Sequence, residues 1–156
     1  MPTSTPTGRI GDGIASVLNG LSLSPRPISI RQRKRPVILD GEALPLLLVC
    51  VGDDEEMECL GVSMTPDRMT WLVKRPVAIA MAFAKQGKTA DNESMRLWRD
   101  AIWGACTLTT LQRTIPELND VSPRGKAIFD PGAFAGTQVD WGMIELSVET
   151  LESKSM

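Results

Sequence analysis

The chain has 156 residues, of which 42% are hydrophobic and 23% charged, and its formal net charge at pH 7 is −2. These values are typical of one globular domain, and they exclude disordered chains and strongly basic polyanion-binding proteins. The sequence contains no histidine, which removes histidine-based catalytic triads, most zinc sites and the usual general base at neutral pH.

Cysteine usage and hydropathy indicate where the protein resides. Cys50, Cys59 and Cys106 are odd in number, widely spaced and set in apolar surroundings, which favours reduced core thiols over disulfides or a metal knuckle. No run approaches the roughly 20 apolar residues of a membrane span. The N-terminal "MPTSTPTGR" lacks the charged start and apolar middle of a signal peptide. The sequence therefore predicts a cytoplasmic protein.

The first predicted element is a helix. Residues 1–8, rich in Pro, Thr and Ser, are predicted to be a disordered tail. Apolar side chains then recur with helical period and predict an amphipathic helix from about Arg9 to about Leu21. Glycines inside this segment lower its intrinsic helicity, so packing against a sheet must hold it.

Two strands are predicted next. The segment from Ile28 to Arg33 alternates with period two, which predicts a half-buried strand with Ile28 and Ile30 on one face and the arginines on the other. "LLLVCV", from Leu46 to Val51, is a continuous apolar run, typical of a central strand buried on both faces. The acidic loop "GDDEE" follows it.

A second pair of strands covers the middle of the chain. Residues 57–64 predict one strand, and residues 70–84 predict a long one on which large side chains alternate with alanines. The alanine side is expected to lie close to a helix or a neighbouring subunit. Pro76 cannot donate a ladder hydrogen bond, which predicts an edge or a bulge at that position.

The C-terminal half is predicted to contain a helix and a closing strand. The helix runs from about Asn92 to about Leu111, and its core-facing stripe is Met95, Trp98, Ile102 and Cys106. Residues 114–125 are predicted as loop and 126–129 as a short strand. The last strand spans about residues 137–151, with a β-bulge beside Gly142. Residues 152–156 are predicted to fray, which leaves 9–151 as a single domain.

The sequence offers little catalytic chemistry. It contains no phosphate-loop, dinucleotide or nucleophile-elbow motif, and it predicts no enzyme, no cofactor and no metal site. The acidic run, which lacks the alternating spacing of a calcium loop, is predicted to be a solvated turn: Asp53, Asp54, Glu55 and Glu56. Trp98 and Trp141 fit core patterns, whereas Trp103 lies off the helical stripe and fits an interface.

The basic run "RQRKR", from Arg31 to Arg35, admits three interpretations. It is the solvated face of a strand, a patch that binds nucleic acid or addresses the protein to a nucleus, or a protein interface whose partner is the acidic loop of a neighbouring copy. The run has no interleaved aromatic residue and the chain no overall positive charge, so no specific nucleic-acid partner is expected.

The order of these segments resembles the tail terminator and tail-completion proteins of long-tailed phages and related prophage elements. The resemblance is carried by "RIGDGIASVLNGL", "ISIRQRKRP", "LPLLLVCVGDD", "VAIAMAFAKQG", "ESMRLWRDAIWGAC" and "WGMIELSVETL", and it spans most of residues 9–151. In many of these proteins an arginine follows the acidic turn and opens the next strand. Here Arg68 or Arg75 is the counterpart.

The resemblance implies an α/β (α+β) fold in which two amphipathic helices pack on a mixed, mainly antiparallel β-sheet. It also implies a hexameric ring that caps the tail tube and joins it to the head-tail connector, so the partners are further copies, tube and connector proteins, with no membrane. The protein would occupy the host cytoplasm during assembly and then the virion tail or neck. Head-to-tail ring closure uses two different patches, for which the candidates are Arg31, Arg33, Arg35, Asp53, Asp54, Glu55, Glu56 and Trp103.

Two alternatives stay open beside the terminator function. The first is another phage structural role, as a neck or minor tail protein, which would share the fold and differ in its partner. The second is a nucleic-acid-binding or regulatory module that uses the basic strand from Arg31 to Arg35, and it predicts a strongly salt-dependent affinity for DNA.

Overall fold

The computed structural model describes residues 5–36, 38–39, 41–53, 55–63, 68–84, 93–123, 128–130 and 139–155. In this part of the chain, none of the helices is both long and apolar enough to cross a membrane. The helices are α1 (Pro6–Asn19), α2 (Glu93–Ala105) and α3 (Leu108–Gln112). The strands are β1 (Ser29–Gln32), β2 (Leu46–Val51), β3 (Glu56–Ser63), β4 (Arg68–Ala84), β5 (Leu118–Pro123), β6 (Ile128–Asp130) and β7 (Val139–Ser155).

These strands form one mixed, mainly antiparallel sheet, so the predicted α+β class is confirmed. Its order is β1-β2-β4-β7-β5, with β3 also on β4 and β6 also on β7. Only β1 and β2 run parallel among these pairs. β4 and β7 are paired along their whole length, from Arg68 with Ser155 to Ala84 with Val139. Two long antiparallel strands are therefore the centre of the sheet.

All three helices contribute to one apolar core with the sheet. The predicted stripe of α2 is confirmed, since Met95, Trp98 and Ile102 are fully buried and Cys106 is 9% exposed. From β4 the large side chains enter this core, from Val77 to Phe83. The alanines lie on the opposite face, so of the two predicted neighbours the helix is wrong and the neighbouring subunit stays a prediction. Large side chains fill the space under the helices, because interiors pack without voids.

A smaller core lies on the other face of the sheet, called here the helix-free face because none of the helices in the described residues packs on it. Ala80 and Ala82 pack there with Leu46, Leu48 and Cys50, and the cluster is bordered by Ile38, Leu44 and Trp141. The other side chains of β2 (Leu47, Val49 and Val51) face the helices. The prediction that "LLLVCV" is buried on both faces is therefore confirmed.

The ends of the domain differ from the prediction. α1 begins at Pro6 rather than Arg9, because the Thr5 hydroxyl accepts the Gly8 amide at 3.1 Å and proline suits the first turn, where no amide donor is required. At the C-terminus β7 continues to Ser155, since β4 offers it partners as far as Arg68. The predicted fraying from residue 152 is therefore wrong for residues 152–155.

Three internal predictions are also corrected. The second helix ends at Ala105, because the Thr107 hydroxyl accepts the Thr110 amide and caps a separate helix, α3. Part of the predicted loop at 114–125 is β5, paired with β7. The predicted bulge beside Gly142 is absent, since β7 keeps its register with β4 throughout. Its apolar residues change faces while the backbone stays regular.

Pro76 lies in the central strand and not at an edge or bulge. On one side it is paired with Ser147 of β7. On the other side its carbonyl accepts the Gly52 amide at 2.8 Å, in the gap between β2, which ends opposite Val77, and β3, which begins opposite Lys74. Proline has no amide hydrogen to donate, and Pro76 lies at the point where the neighbouring strand of β4 changes from β2 to β3.

Two Gly→Ala substitutions are expected to have opposite effects on stability. A Cβ on Gly13 of α1 would lie 2.4 Å from Cγ1 of Ile115, so Gly13→Ala should lower the free energy of unfolding by about 1–3 kcal/mol through overpacking. A Cβ on Gly104 of α2 meets nothing within 4 Å, and Gly104→Ala should raise stability by about 0.5–1 kcal/mol. Urea unfolding followed by circular dichroism tests both, and equal effects would contradict the close α1 packing.

Candidate functional site

The basic run does not form one uniform exposed face. Arg31 and Arg35 are exposed, as predicted. The Arg33 side chain is only 15% exposed, and its guanidinium donates to the Glu42 carboxylate, so the prediction that it shares the open face is wrong. Ile28, predicted to point inward, is 61% exposed, because it precedes the short strand β1 at the border of the sheet.

Arg33 has a structural role in the segment that follows β1. The Glu42 carboxylate also accepts the Leu39 amide at 2.7 Å, so one carboxylate ties both groups together. The hydrogen bonds from Arg33 and Leu39 lower the pKa of Glu42. The charged form is thereby favoured, and the tie weakens only as the pH falls through that lowered value. Ile38 and Leu44 of the same segment border the smaller core.

The acidic run is also divided. Asp54 lies outside the described residues, and Asp53 is exposed, with its carboxylate 3.8 Å from Nζ of Lys34. This pair contributes little, because both side chains are open to water. Glu55 pairs with Arg75, and Glu56 opens β3. One chain thus already brings the basic run and the acidic turn together, so a complementary patch on a neighbouring copy needs other carboxylates.

A buried ion-pair network surrounds Arg75 of β4. Its side chain is 2% exposed, and its guanidinium lies 2.6 Å from Glu152 and 3.0 Å from Glu55. It also donates to the Thr150 hydroxyl at 3.2 Å, and that hydroxyl donates to Glu152 at 2.7 Å. Burial disfavours the charged guanidinium, but the two glutamates outweigh this effect and raise the pKa of Arg75. The network holds a positive charge inside the sheet.

Sequence reasoning did not identify this network, although a signal for it exists. Arg75 occupies the same phase of β4 as Val73 and Val77, both buried. A charge in the apolar phase of a long strand points inward and requires a buried partner. Its partners, Glu55 and Glu152, are 20 and 77 residues away in the chain, so periodicity could not have named them. Arg75, one of the two arginines that the resemblance left open, is held in this network.

An open cleft of about 360 Å³ lies beside the network. Its polar lining contains three carboxylates and two cations, and it is formed by Asp53, Glu55, Glu56, Lys74, Arg75, Pro76 and Ser147. Arg75 and Lys74 are already paired with glutamates. Among the described residues, no group of three or more His, Cys, Asp or Glu side chains is arranged to hold a metal ion.

The outer halves of the long strands form a feature that we call the arm. It consists of β3, residues 68–76 of β4 and residues 147–155 of β7. The helix-packed core stops at Val77 in β4 and at Val148 in β7. Met57, Leu60 and Leu151 of the arm are 41–52% exposed. An extension of the sheet beyond the helical core that displays apolar side chains is suited to contact with another protein.

The helix-free face of the arm, called here the acidic face, has an apolar pair among carboxylates. Leu72 is in register with Leu151, which is 41% exposed. Around this pair, the side chains that the structure describes on the same face of the sheet include four carboxylates and one ammonium group, on Glu56, Glu58, Asp120, Glu149 and Lys74. Lys74 and Asn119 contact Glu149, while Glu56, Glu58 and Asp120 are exposed. The face is therefore net negative.

The outer surface of α2 has two exposed apolar residues. Trp103 is 40% exposed and Leu97 is 55% exposed, whereas Trp98 on the same helix is fully buried. The distinction that the sequence predicted between Trp98 and Trp103 is confirmed as far as burial is concerned. An interface at Trp103 stays a prediction.

The three cysteines differ in accessibility. Cys50 and Cys106 are buried and free, as predicted, whereas Cys59 is exposed on β3. β3 lies at the border of the arm, and Cys59 on this strand is outside the apolar core. Burial raises the pKa of the Cys50 thiol, and it raises that of Cys106 to about 12. A thiol reagent at neutral pH should therefore modify Cys59 first.

No protein-family model matches the sequence, and a search of curated proteins found no match.

Proposed function

We propose that this chain is a structural subunit that assembles with copies of itself and forms the ring that terminates the tail tube of a long-tailed phage. The terminator role comes from the resemblance of the sequence. The observation that carries self-assembly is the arm, because β3, β4 and β7 continue beyond the helical core and leave Met57, Leu60 and Leu151 partly exposed. Exposed apolar side chains on an extended sheet favour contact with protein.

The distribution of charge favours protein assembly over binding of nucleic acid. A nucleic-acid module needs several cations that are free to contact phosphates. Here Arg33, in the middle of the basic run, is engaged by Glu42. The arm adds a net negative face, which repels a polyanion. A protein interface uses both signs of charge, one on each partner.

Sedimentation velocity over a range of concentrations tests the proposal. We expect a closed oligomer of fixed size, with annular particles in electron micrographs and binding at one end of tail tubes built from a tube protein of the same genome. A chain that stays monomeric at every concentration and leaves tube ends free would contradict the proposal. Binding to duplex DNA that weakens steeply with salt would favour the nucleic-acid module instead.

A further inference from the structure

A second surface of the molecule has the opposite charge to the acidic face. The segment from residue 26 to residue 35, which contains β1, has four exposed cations on Arg26, Arg31, Lys34 and Arg35. Within this segment Ile28 is 61% exposed. We call this surface the basic edge, because β1 pairs only with β2 among the described strands. It combines an exposed apolar residue with basic neighbours, as the acidic face combines Leu72 and Leu151 with carboxylates.

The centres of the two surfaces, at Arg31 and at Leu72, lie far apart within one copy. Arg31 is in register with Leu48 of β2, and Leu48 is in register with Ala80 of β4. Ala80 and Leu72 are eight residues apart along β4, and at about 3.4 Å per residue their separation is roughly 27 Å. Charges at that distance are screened in physiological salt, where the Debye length is about 8 Å. At that distance the charges around Leu72 do not neutralise Arg31, whereas Lys34, at the other end of the basic edge, lies beside Asp53 of its own copy. Arg31 can therefore pair with the acidic face of another molecule.

We propose that the acidic face of one copy binds the basic edge of the next copy. This inference rests on the proposed self-assembly and specifies the surfaces that it uses. Each surface has apolar side chains bordered by charge, which matches the apolar centre and polar rim of protein interfaces. Arginine is enriched at such interfaces, and opposite charges align the partners as they meet.

The pairing is head-to-tail, because the two surfaces are different patches of the same molecule. A contact of this kind leaves one unsatisfied patch at each end of a chain of copies, and it gives a closed ring when the rotation per copy completes a full turn and an open filament when it does not. The proposed contact also differs from the one suggested by the sequence, in which the acidic loop of a neighbouring copy is the partner of the basic run. Asp53 lies beside Lys34 of its own chain, and Glu55 is held by Arg75. The partners for the basic edge are instead Glu56, Glu58 and Asp120.

Charge reversal on each surface separately should abolish assembly. The acidic face is reversed by Glu56→Lys with Glu58→Lys, and the basic edge by Arg31→Glu with Arg35→Glu. In sedimentation velocity at 150 mM salt, each double variant alone should need an at least roughly tenfold higher concentration for half assembly than the unchanged chain. Circular dichroism establishes that each variant is folded. Arg113→Glu, at the exposed end of α3, is the control and should assemble normally.

Mixing the two double variants is the decisive measurement. One variant then has two positive surfaces and the other has two negative surfaces, so alternating copies restore both contacts. We expect an equimolar mixture to recover assembly, with an even number of copies per ring. Loss of assembly in each variant without recovery on mixing would overturn the proposed pairing.

The outcomes separate this inference from the function on which it rests. If the unchanged chain forms rings and both double variants form them equally well, the pairing is wrong while self-assembly stands. If the unchanged chain is monomeric at every concentration and does not bind tube ends, self-assembly is wrong and the pairing falls with it.

Discussion

Arg75→Met is expected to lower the free energy of unfolding by about 3–5 kcal/mol, because it removes one partner of a buried ion pair. The Glu152 side chain is 5% exposed and lies 2.6 Å from the guanidinium. Without Arg75 this buried carboxylate would lose its ion pair with the guanidinium, and the Thr150 hydroxyl would lose a donor. Methionine restores part of the volume of the aliphatic part of the arginine side chain. The loss in the free energy of unfolding therefore comes mainly from the missing charge.

Urea unfolding followed by circular dichroism measures this loss. Lys74→Met is the matched control, since Lys74 is the preceding residue on the opposite face, is 50% exposed and lies 3.8 Å from Glu149. An exposed pair of this kind contributes about 0–1 kcal/mol. Adding Glu152→Met to Arg75→Met should recover part of the stability, because the buried carboxylate that had faced the guanidinium is then gone. Equal small losses for Arg75→Met and Lys74→Met would contradict the buried network.

The Arg75 network also bears on the proposed assembly, because it stabilises the strand that displays the acidic face. Glu152 and Thr150 of β7 face the guanidinium, while the alternate residues Glu149 and Leu151 point to the helix-free side. A loss of pairing between β4 and β7 in the arm would therefore displace both leucines of the acidic face. Assembly assays on Arg75 variants are informative only when the variant is shown to be folded.

Trp98→Ala is expected to lower the free energy of unfolding by about 3–5 kcal/mol, the range for removal of a large buried aromatic side chain. Trp98 is fully buried, and its ring centroid lies 4.4 Å from that of Phe83. Its indole nitrogen donates to the Pro25 carbonyl at 2.8 Å. The substitution leaves a cavity between α2 and the sheet and removes the donor to that carbonyl.

Trp103→Ala is the control for this prediction. Trp103 is on the same helix but is 40% exposed, so its loss should change stability by no more than about 0.5 kcal/mol. Thermal or urea unfolding followed by circular dichroism distinguishes the two variants without relying on tryptophan fluorescence. If Trp103→Ala destabilises as much as Trp98→Ala, the orientation of α2 on the sheet is wrong.

Local patterns in the sequence determined the elements and most of the core. "LLLVCV" is apolar at every position, and the strand it forms is buried on both faces. Met95, Trp98 and Ile102 recur at helical spacing, and all three are fully buried. These predictions succeeded because the alternation of a strand and the 3.6-residue period of a helix are properties of the backbone, so the side chains of one segment are enough to reveal which face is buried.

Only the tertiary structure decided which segments meet. "LNDVSP" became β5 because β7 offers it a partner, and Pro76 is tolerated in a central strand because it lies in the gap between β2 and β3. Arg33, which the sequence predicts to be exposed, is paired with Glu42. Arg75 is paired with Glu152, which is 77 residues away in the chain. The pattern of side chains in a segment determines which of its faces is buried. The partner of a buried charge instead depends on distant segments that meet only after folding.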